Sequence, residues 1–534
     1  MAAPRRWWGW GKLDSSFPLP SYAKESLFAE LKLTDRSAHS TSVMAEPELP
    51  QLPEPQTLVP PCAFSQAFED RLRCATGRST PDLLRLRFNR LLQAPDGVAL
   101  PENEHQIQDL LHWAVQKRVA VVPFGGGTSV VGGVDALRGD HAAVVALDMQ
   151  KLNQVLDLDE KSGLARIQAG IFGPDLEQQL QQRGWSLGHF PQSFEFSTLG
   201  GWLATRSAGQ NSTLYGKIEH MAAAVRMLTP SVSPSLVESR ALPATASGPE
   251  IKEMMVGSEG VFGVISEATM RVHAIPQATQ YQSFFFPDFA SGFTAAKQVM
   301  QSGLRPAVFR LSDETETRLL MKLGGADRSR SVKLLRLLGK STYLDGCHFM
   351  LGFEGNAALV KAEVSAAKSI AKRCGGLGIG SSPGRRWEKE RFELPYFRET
   401  LLDMGVVVET FETAAPWAQL PALHQALRQQ LPASLILAHI SHAYRDGASL
   451  YITWLHDAPD PDQALELWQR MKQIAGEVIM NHGATISHHH AVGSDHKQWM
   501  MHERGAGQVK MLRAAKQCFD PHGIMNPGKL IPDD

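Results

Sequence analysis

Apolar positions recur at helical spacing after Pro101, and Leu110, Leu111 and Ala114 with Gln106 mark the face of a predicted helix. The next apolar run, 119–123, is short and unbroken, as a strand covered on both faces is, and it leads straight into Gly125-Gly126-Gly127. Further strands are predicted over 142–147 and 164–169, and Pro174 opens a helix that Gly184 closes. From about Ile275 the texture changes. Strand-like runs at 281–286 and 349–353 alternate with helical runs at 288–302 and 357–374, which predicts an α+β second domain. The chain ends on a histidine cluster from about Ser487, a predicted helix over 508–518 and a Pro/Gly-rich tail. Residues 40–61 are rich in Pro, Glu and Ser and predict an extended strap. The Ser/Pro-rich stretch 229–249 predicts a surface excursion. The resulting division is a segment with a linker over 1–84, a first domain over 85–275, a second over 276–486, and a closing segment over 487–534.

Composition narrows the class. A chain of 534 residues, 43% hydrophobic and 20% charged, has room for several domains with ordinary cores. With 54 basic and 55 acidic residues the net charge is −1, which gives no general attraction to nucleic acid. Cys62, Cys74, Cys347, Cys374 and Cys518 are scattered and form no C-x-x-C pair, so neither a disulfide framework nor a structural zinc site is predicted. No run approaches the roughly 18 apolar residues of a membrane span. Arg5-Arg6 is followed by Trp7-Trp8-Gly9-Trp10-Gly11 rather than a signal-like apolar stretch. The expectation is a mature, cytoplasmic protein, with peripheral membrane contact left open. The sequence neither requires nor excludes a homodimer.

Three motifs bear on chemistry. Pro123-Phe124-Gly125-Gly126-Gly127-Thr128-Ser129 lets backbone N–H groups converge beside two hydroxyls, a nest suited to a pyrophosphate. It is neither a Walker loop nor a G-x-G-x-x-G loop, since Val130 stands where the last glycine belongs. The second motif is Gln192-Ser193-Phe194-Glu195-Phe196-Ser197-Thr198-Leu199-Gly200-Gly201-Trp202, followed by Thr205-Arg206-Ser207-Ala208-Gly209. Its small and hydroxyl residues permit close approach to a flat ring. The third is Gly257-Ser258-Glu259-Gly260-Val261-Phe262-Gly263-Val264-Ile265. Taken singly, a tight turn and a glycine-rich connection explain the first two equally well, and a bulged strand explains the third better than a ligand contact does.

Their order and spacing resemble the FAD domain of the vanillyl-alcohol-oxidase / p-cresol-methylhydroxylase superfamily. The resemblance implies an α+β, two-domain flavoprotein, with an FAD-binding domain over 85–275, a substrate-binding cap over 276–486 and a C-terminal segment completing the active site. The triple-glycine loop would hold the FAD pyrophosphate and the later two motifs would line the flavin. The loop has no histidine or cysteine to anchor flavin, so FAD is expected to be non-covalent. Within the superfamily the chain resembles the alkyldihydroxyacetonephosphate synthase family. This rests on Arg6-Trp7-Trp8-Gly9-Trp10-Gly11, Gly188-His189, Leu214-Tyr215-Gly216-Lys217-Ile218-Glu219, Glu409-Thr410-Phe411-Glu412-Thr413, Ser487-His488-His489-His490-Ala491-Val492-Gly493 and Pro521-His522-Gly523-Ile524.

Read chemically, His488, His489 and His490 are consecutive and would alternate faces in an extended segment. A zinc site, a packed or solvated cluster, and proton transfer are all open readings, although the spaced H-x-x-x-H pair of many zinc sites is missing. The family resemblance implies a catalytic role. Tyr451, on a strand-like run over 448–454, is either a core residue or the family's proton-exchanging tyrosine. Arg398 is either a helix-surface ion pair or the family's phosphate ligand, a task suited to a forked guanidinium. Arg310 sits in an apolar run and needs a buried partner; it, His189 and Thr410 match further substrate-site positions. Two departures stand out: Thr410 where the family often has serine, and Gln192 in place of an acidic residue.

The resemblance implies exchange of the acyl group of acyl-dihydroxyacetone phosphate for a long-chain alcohol. Flavin N5 would attack the carbon bearing the acyloxy group, with no net redox change. The alternative on the same fold is oxidation of a 2-hydroxy acid or alcohol, with Arg398 gripping a carboxylate.

Overall fold

The run at 119–123 forms the strand Val119–Phe124, and the preceding helix, Glu104–Lys117, packs Ile107, Leu110, Leu111 and Ala114 against it. Asn103 caps that helix by accepting from the Gln106 N–H at 3.0 Å. Ile107 takes the buried position expected of Gln106, whose side chain turns back to accept from the Glu102 N–H. In the computed structural model of the protein, which describes residues 5–33, 47–91, 93–231 and 235–533, the strand pairs in parallel with Ala143–Asp148. Gly97–Ala99 and Phe64–Ser65 complete a four-stranded sheet. Beside it lies a five-stranded antiparallel sheet in the order Val155–Asp159, Leu164–Gln168, Val264–Arg271, Ala222–Leu228, Leu236–Glu238.

Two expected features differ in detail. Of the stretch 229–249, residues 232–234 lie outside the described residues, and the rest is not all excursion: Leu236–Glu238 pairs with the end of Ala222–Leu228. Of the strap 40–61, residues 40–46 lie outside the described residues. Residues 47–60 run without helix or strand, and the Gln51 and Gln56 N–H groups are pinned to the side chains of Asn89 and Asp96.

The second half folds around a seven-stranded antiparallel sheet in the order Leu377–Gly380, Ala278–Phe286, Cys347–Gly355, Val308–Ser312, Leu435–Ala443, Gly447–Asp457, Val406–Pro416. Strand side chains alternate between faces, so register decides what each face carries. One face presents Phe309, Leu311, Phe411, Ala438, Ile440, Ile452 and Trp454 to a core shared with the helices Phe289–Gln301, Ala357–Arg373, Leu420–Gln430 and Pro461–Asn481. The other carries Arg310, Thr410, Glu412, Leu437, His439, Tyr451, Thr453 and Leu455, because Ser312 pairs with His439, His439 with Tyr451, and Tyr451 with Glu412.

Both terminal segments cross between the two halves. Near the N-terminus, the Thr80 hydroxyl donates to the Val408 carbonyl at 2.9 Å, and buried Arg87 pairs with Glu399 at 2.7 Å and with Asp403. Near the C-terminus, Met525 bridges to Val121, and Ile524 and Met525 join the core of the first sheet. No helix among the described residues is long and apolar enough to cross a membrane.

Candidate active site

The first sheets and the polar face of the seven-stranded sheet enclose one cavity of about 420 Å³. At one part of its wall lie Pro123 to Ser129, Gln192, Ser193, Ser197, Thr198, Thr205, Ser207, Ala208, Glu259, Gly260, Gly263, Val264 and Ile265. The glycine loop leaves its parallel strand and packs directly on the second motif. A Cβ on Gly126 would stand 1.6 Å from the Phe196 carbonyl oxygen, and one on Gly125 would stand 2.2 Å from Thr198 Oγ1. Ser129 closes the loop by accepting from the Gly133 N–H at 2.9 Å. The N–H groups of residues 126–130 donate to no protein acceptor among the described residues. A run of unclaimed amides beside small, close-packed residues fits the diphosphate and flat ring of FAD.

Across the cavity stand Arg310, Glu316, Arg398, Thr410, His439, His442, Tyr451, His489 and His490. Arg310 has its buried partner: Nη2 lies 3.1 Å from Glu316 Oε1 and 3.3 Å from His439 Nδ1, which is itself 2.9 Å from Glu316. Burial pushes the Glu316 carboxyl up, but His439 and Arg310 outweigh it and hold the group at about 2. His439 stacks on Tyr451 with centroids 5.0 Å apart. Burial drives the Tyr451 phenol up to about 12, opposed by its hydrogen bond to Thr410. Arg398, on the helix Leu394–Asp403, donates to the Arg78 carbonyl at 3.1 Å and to Glu399 at 3.4 Å, while its Nε is buried without a partner. That unclaimed N–H, with half-buried Arg78 alongside, makes an anion-seeking corner.

The three histidines do not alternate. Their segment bends around Glu412, whose Oε1 accepts from the N–H groups of His489 (2.7 Å) and His490 (2.6 Å) and from the Ser487 hydroxyl (2.9 Å). The other oxygen contacts His490 Nδ1. Burial pushes the Glu412 carboxyl up, yet His490 and His489 bring it well below its usual range. Ligand-capable atoms of Glu412, His489 and His490, and of His442, His488 and His489, do come within 4.8 Å of one another. These groups are already committed to one another and to the backbone, and a metal ion would have to break those bonds.

Several predicted positions stand behind the wall. Phe194 stacks on Trp202 and Phe392, and Phe196 packs edge-on against Trp10. Val261 and Phe262 are core residues, and Glu195 points to Lys12 at 3.9 Å. Arg206 turns to Glu253 and the Val256 carbonyl. These residues shape the cradle without reaching the cavity. His189 is buried one layer back, 3.2 Å from the Ser207 hydroxyl and packed on Trp202; burial, His442 and Lys217 lower it to about 3. His488 is also off the cavity wall. Glu259 lines the cavity and also accepts from the Val492 and Gly493 N–H groups, fastening the histidine segment to the cradle.

The sequence reading missed Glu412, Glu316, His439, His442, Arg78 and Trp10. Two signals were available. Glu412 lies two residues from Thr410 on a strand and so shares its face, and His439 and His442 interrupt an apolar strand run.

A glycine loop on parallel strands, opening into one cavity with a polar antiparallel face, defines a flavin-dependent enzyme of the vanillyl-alcohol-oxidase type. The FAD binding domain family matches residues 95–232, and the FAD linked oxidases, C-terminal domain family matches 275–530. A solved p-cresol methylhydroxylase shares the fold at a TM-score of 0.66 and 13% identity, over 88% of this chain and 94% of that one. The chain belongs more narrowly to the alkyldihydroxyacetonephosphate synthase family, and FAD is its cofactor. The synthase of Dictyostelium discoideum is 36% identical over 88% of this chain and 79% of its own length. That of Trypanosoma brucei brucei is 33% identical over 86% and 77%. A solved alkyldihydroxyacetonephosphate synthase superposes at a TM-score of 0.82 with 30% identity, covering 98% of both chains.

Proposed function

We propose that the protein exchanges the acyl group of acyl-dihydroxyacetone phosphate for a long-chain alcohol. One observation carries this reading. The cavity that holds the anion-seeking corner of Arg398 is also lined by Leu319, Leu320, Leu323, Leu401, Leu437 and Leu455. A phosphate joined to a long apolar chain matches both ends, and a small hydroxy acid would leave the leucines uncovered.

The phosphate would be held by Arg398 Nε, with Arg310 kept on the cavity wall by Glu316. His489 and His490, oriented by Glu412, would take and return the substrate proton, and Tyr451, polarised by Thr410, would serve the incoming or leaving oxygen. FAD, when bound without a covalent link, supplies a nucleophilic ring nitrogen, and electrons end where they began. The glycine loop and the second motif line the cavity where it would sit, and among the described residues no cysteine does.

The long chains come from a bilayer, and one surface supports peripheral contact with it. Leu334, Leu337 and Leu338 are 54%, 83% and 60% exposed on and just after the helix Arg330–Leu337, among exposed Arg330, Lys333 and Arg336. That helix packs through Val332 and Leu335 against Met321, beside cavity-lining Leu320. A basic amphipathic helix of this kind suits an anionic membrane face.

The test is incorporation of labelled hexadecanol into acyl-dihydroxyacetone phosphate by the purified holoenzyme without consumption of an electron acceptor. Bleaching of the flavin by lactate with no alcohol incorporation would replace this reading with that of a dehydrogenase.

A further inference from the structure

A file of hydrogen bonds leads from the cavity toward the surface. His489 lines the cavity, and its Nδ1 lies 2.9 Å from Nδ1 of His488. His488 is buried off the cavity, and its Nε2 lies 2.6 Å from the Tyr444 hydroxyl. Tyr444 is half-buried and begins the turn between the strands Leu435–Ala443 and Gly447–Asp457, donating its N–H to the Gly447 carbonyl at 2.8 Å. Arg445 and Asp446, next in that turn, are exposed.

The surroundings hold the file in place and are otherwise occupied. Lys217 Nζ donates to the His488 carbonyl at 2.7 Å and pairs with Glu219 at 3.3 Å. Glu412 fixes the backbone of His489 and His490. His442 packs on both relay rings, but Nε2 is engaged by the Gly209 carbonyl and Nδ1 by the Ser441 hydroxyl, each at 2.9 Å, so it walls the file rather than extending it. Burial first, and then neighbouring charged groups, lower both His488 and His489 well below the usual imidazole range, so at neutral pH each ring is uncharged. Glu412 acts the other way on both, and burial, Glu219 and Asp446 raise the Tyr444 phenol. A neutral imidazole with one bare nitrogen and one N–H passes a proton without storing charge.

We infer that His489, His488 and Tyr444 form a proton relay between the substrate face and solvent, with Tyr444 as its outer positioning residue. The inference rests on the synthase reading for the source of the proton. When the substrate C–H bond breaks, its electron pair stays on the carbon and its proton goes to Nε2 of His489. The hydrogen on Nδ1 of His489 moves to Nδ1 of His488, that on Nε2 of His488 moves to the Tyr444 oxygen, and the phenolic hydrogen passes to water. Each ring ends neutral in its other tautomer, and the same steps in reverse return a proton from solvent.

The experiment compares Tyr444→Phe with the wild-type holoenzyme, using acyl-dihydroxyacetone phosphate tritiated on the carbon bearing the acyloxy group. The variant should release tritium to water about tenfold more slowly, short of the roughly 100-fold loss expected on removing a positioned acid–base group itself. KM and flavin content should be unchanged. Release at the wild-type rate overturns the relay, and so does slow release accompanied by lost flavin or a raised KM, which marks a structural role. If the wild type neither releases tritium nor incorporates alcohol, the synthase reading has failed by itself. The relay is then decided by 15N NMR of labelled histidine. Tyr444→Phe should alter the His488 ring resonances through the lost partner at Nε2 and speed exchange of the ring N–H, and an unchanged spectrum overturns it.

Discussion

At the cradle, the protein offers backbone and small side chains drawn from short contiguous stretches, Pro123 to Ser129 and Gln192 to Ala208. On the facing sheet it offers charged and titratable side chains drawn from strands far apart in sequence, as where Arg310 meets His439 across 129 residues. The first surface works by leaving groups out, the second by pairing them. A cradle for a ligand with its own chemistry needs close approach and free amides. A surface that must bind an anion and move protons needs charges held at fixed distances in a dry setting. The two ends should therefore fail differently. Added bulk should be fatal at the first and loss of a charged group at the second.

The largest effect is expected at Gly126. A valine there drives its Cβ into the Phe196 carbonyl, which is backbone and cannot swing aside. Overpacking of this kind costs about 3 kcal/mol, so flavin affinity should fall roughly 100-fold. Flavin absorbance per protein after gel filtration measures it. A yellow, stoichiometric Gly126→Val protein would break the contrast, because the cradle would then tolerate bulk.

Arg398→Ala comes next. A hydrogen bond to a charged group contributes about 1.5–3 kcal/mol, so KM for the phosphorylated substrate should rise roughly 10- to 100-fold, with flavin content and folding preserved. Steady-state kinetics with holoenzyme decides. An unchanged KM would remove the anion from this corner.

The same contrast explains what the sequence made legible. The cradle was readable because Gly125 to Gly127 and Ser193 to Thr198 are contiguous and their chemistry is local. The strands and helices around them were readable from periodicity, as with Ala357–Arg373, expected to within a residue. The sheet face was half-readable. Tyr451, Arg398 and the histidines were marked by family resemblance, whereas Glu316, His439 and Glu412 gain meaning only through register, which pairs Ser312 with His439 and Glu412 with Tyr451. The bend of residues 488–490 was not foreseeable from three like side chains, because Glu412, more than 70 residues earlier, sets it.

Acid should discriminate between the ends. His189 and His496 are lowered to about 3, and His348 and His442 to about 4, in each case by burial first. For a histidine whose folded pKa lies below its unfolded value, the folded state binds fewer protons. Stability is then full above about 6.5 and falls, as pH drops from there toward 4, by up to about 1.4 kcal/mol per pH unit for each group. Glu259 and Asp495, raised to about 7 and about 6 by burial, run the other way and gain stability as pH falls toward the ordinary carboxyl range. Glu316, held at about 2, keeps its contribution throughout this window. The two sets oppose each other across the molecule, so the test is the difference made by one group: between pH 7 and 5 the urea midpoint of His189→Gln should fall less, or rise more, than that of the wild type. Parallel profiles for variant and wild type would mean that His189 is solvated.

On the surface, Leu337→Asp should weaken sedimentation with anionic vesicles several-fold while leaving alcohol exchange in detergent intact, since Leu337 is 83% exposed. Each buried methylene contributes about 0.8 kcal/mol, so one leucine seated in the interface is enough to measure. Equal sedimentation of variant and wild type would detach this helix from the bilayer.

The smallest effect belongs to Thr410, where the two design rules meet on one side chain. Its hydroxyl bonds Tyr451, a pairing role, while its methyl only fills space on the cavity wall. Thr410→Ser keeps the first and loses the second, so kcat should stay within about twofold, the scale of a lost contact worth a few tenths of a kcal/mol. Thr410→Val keeps the volume but strips the hydroxyl, leaving the half-buried phenol without that partner at about 1–3 kcal/mol, and kcat should fall by roughly tenfold or more. If the two substitutions cost the same, the sheet face would be selecting shape, as the cradle does. If only valine is damaging, pairing governs this wall of the cavity down to a single oxygen.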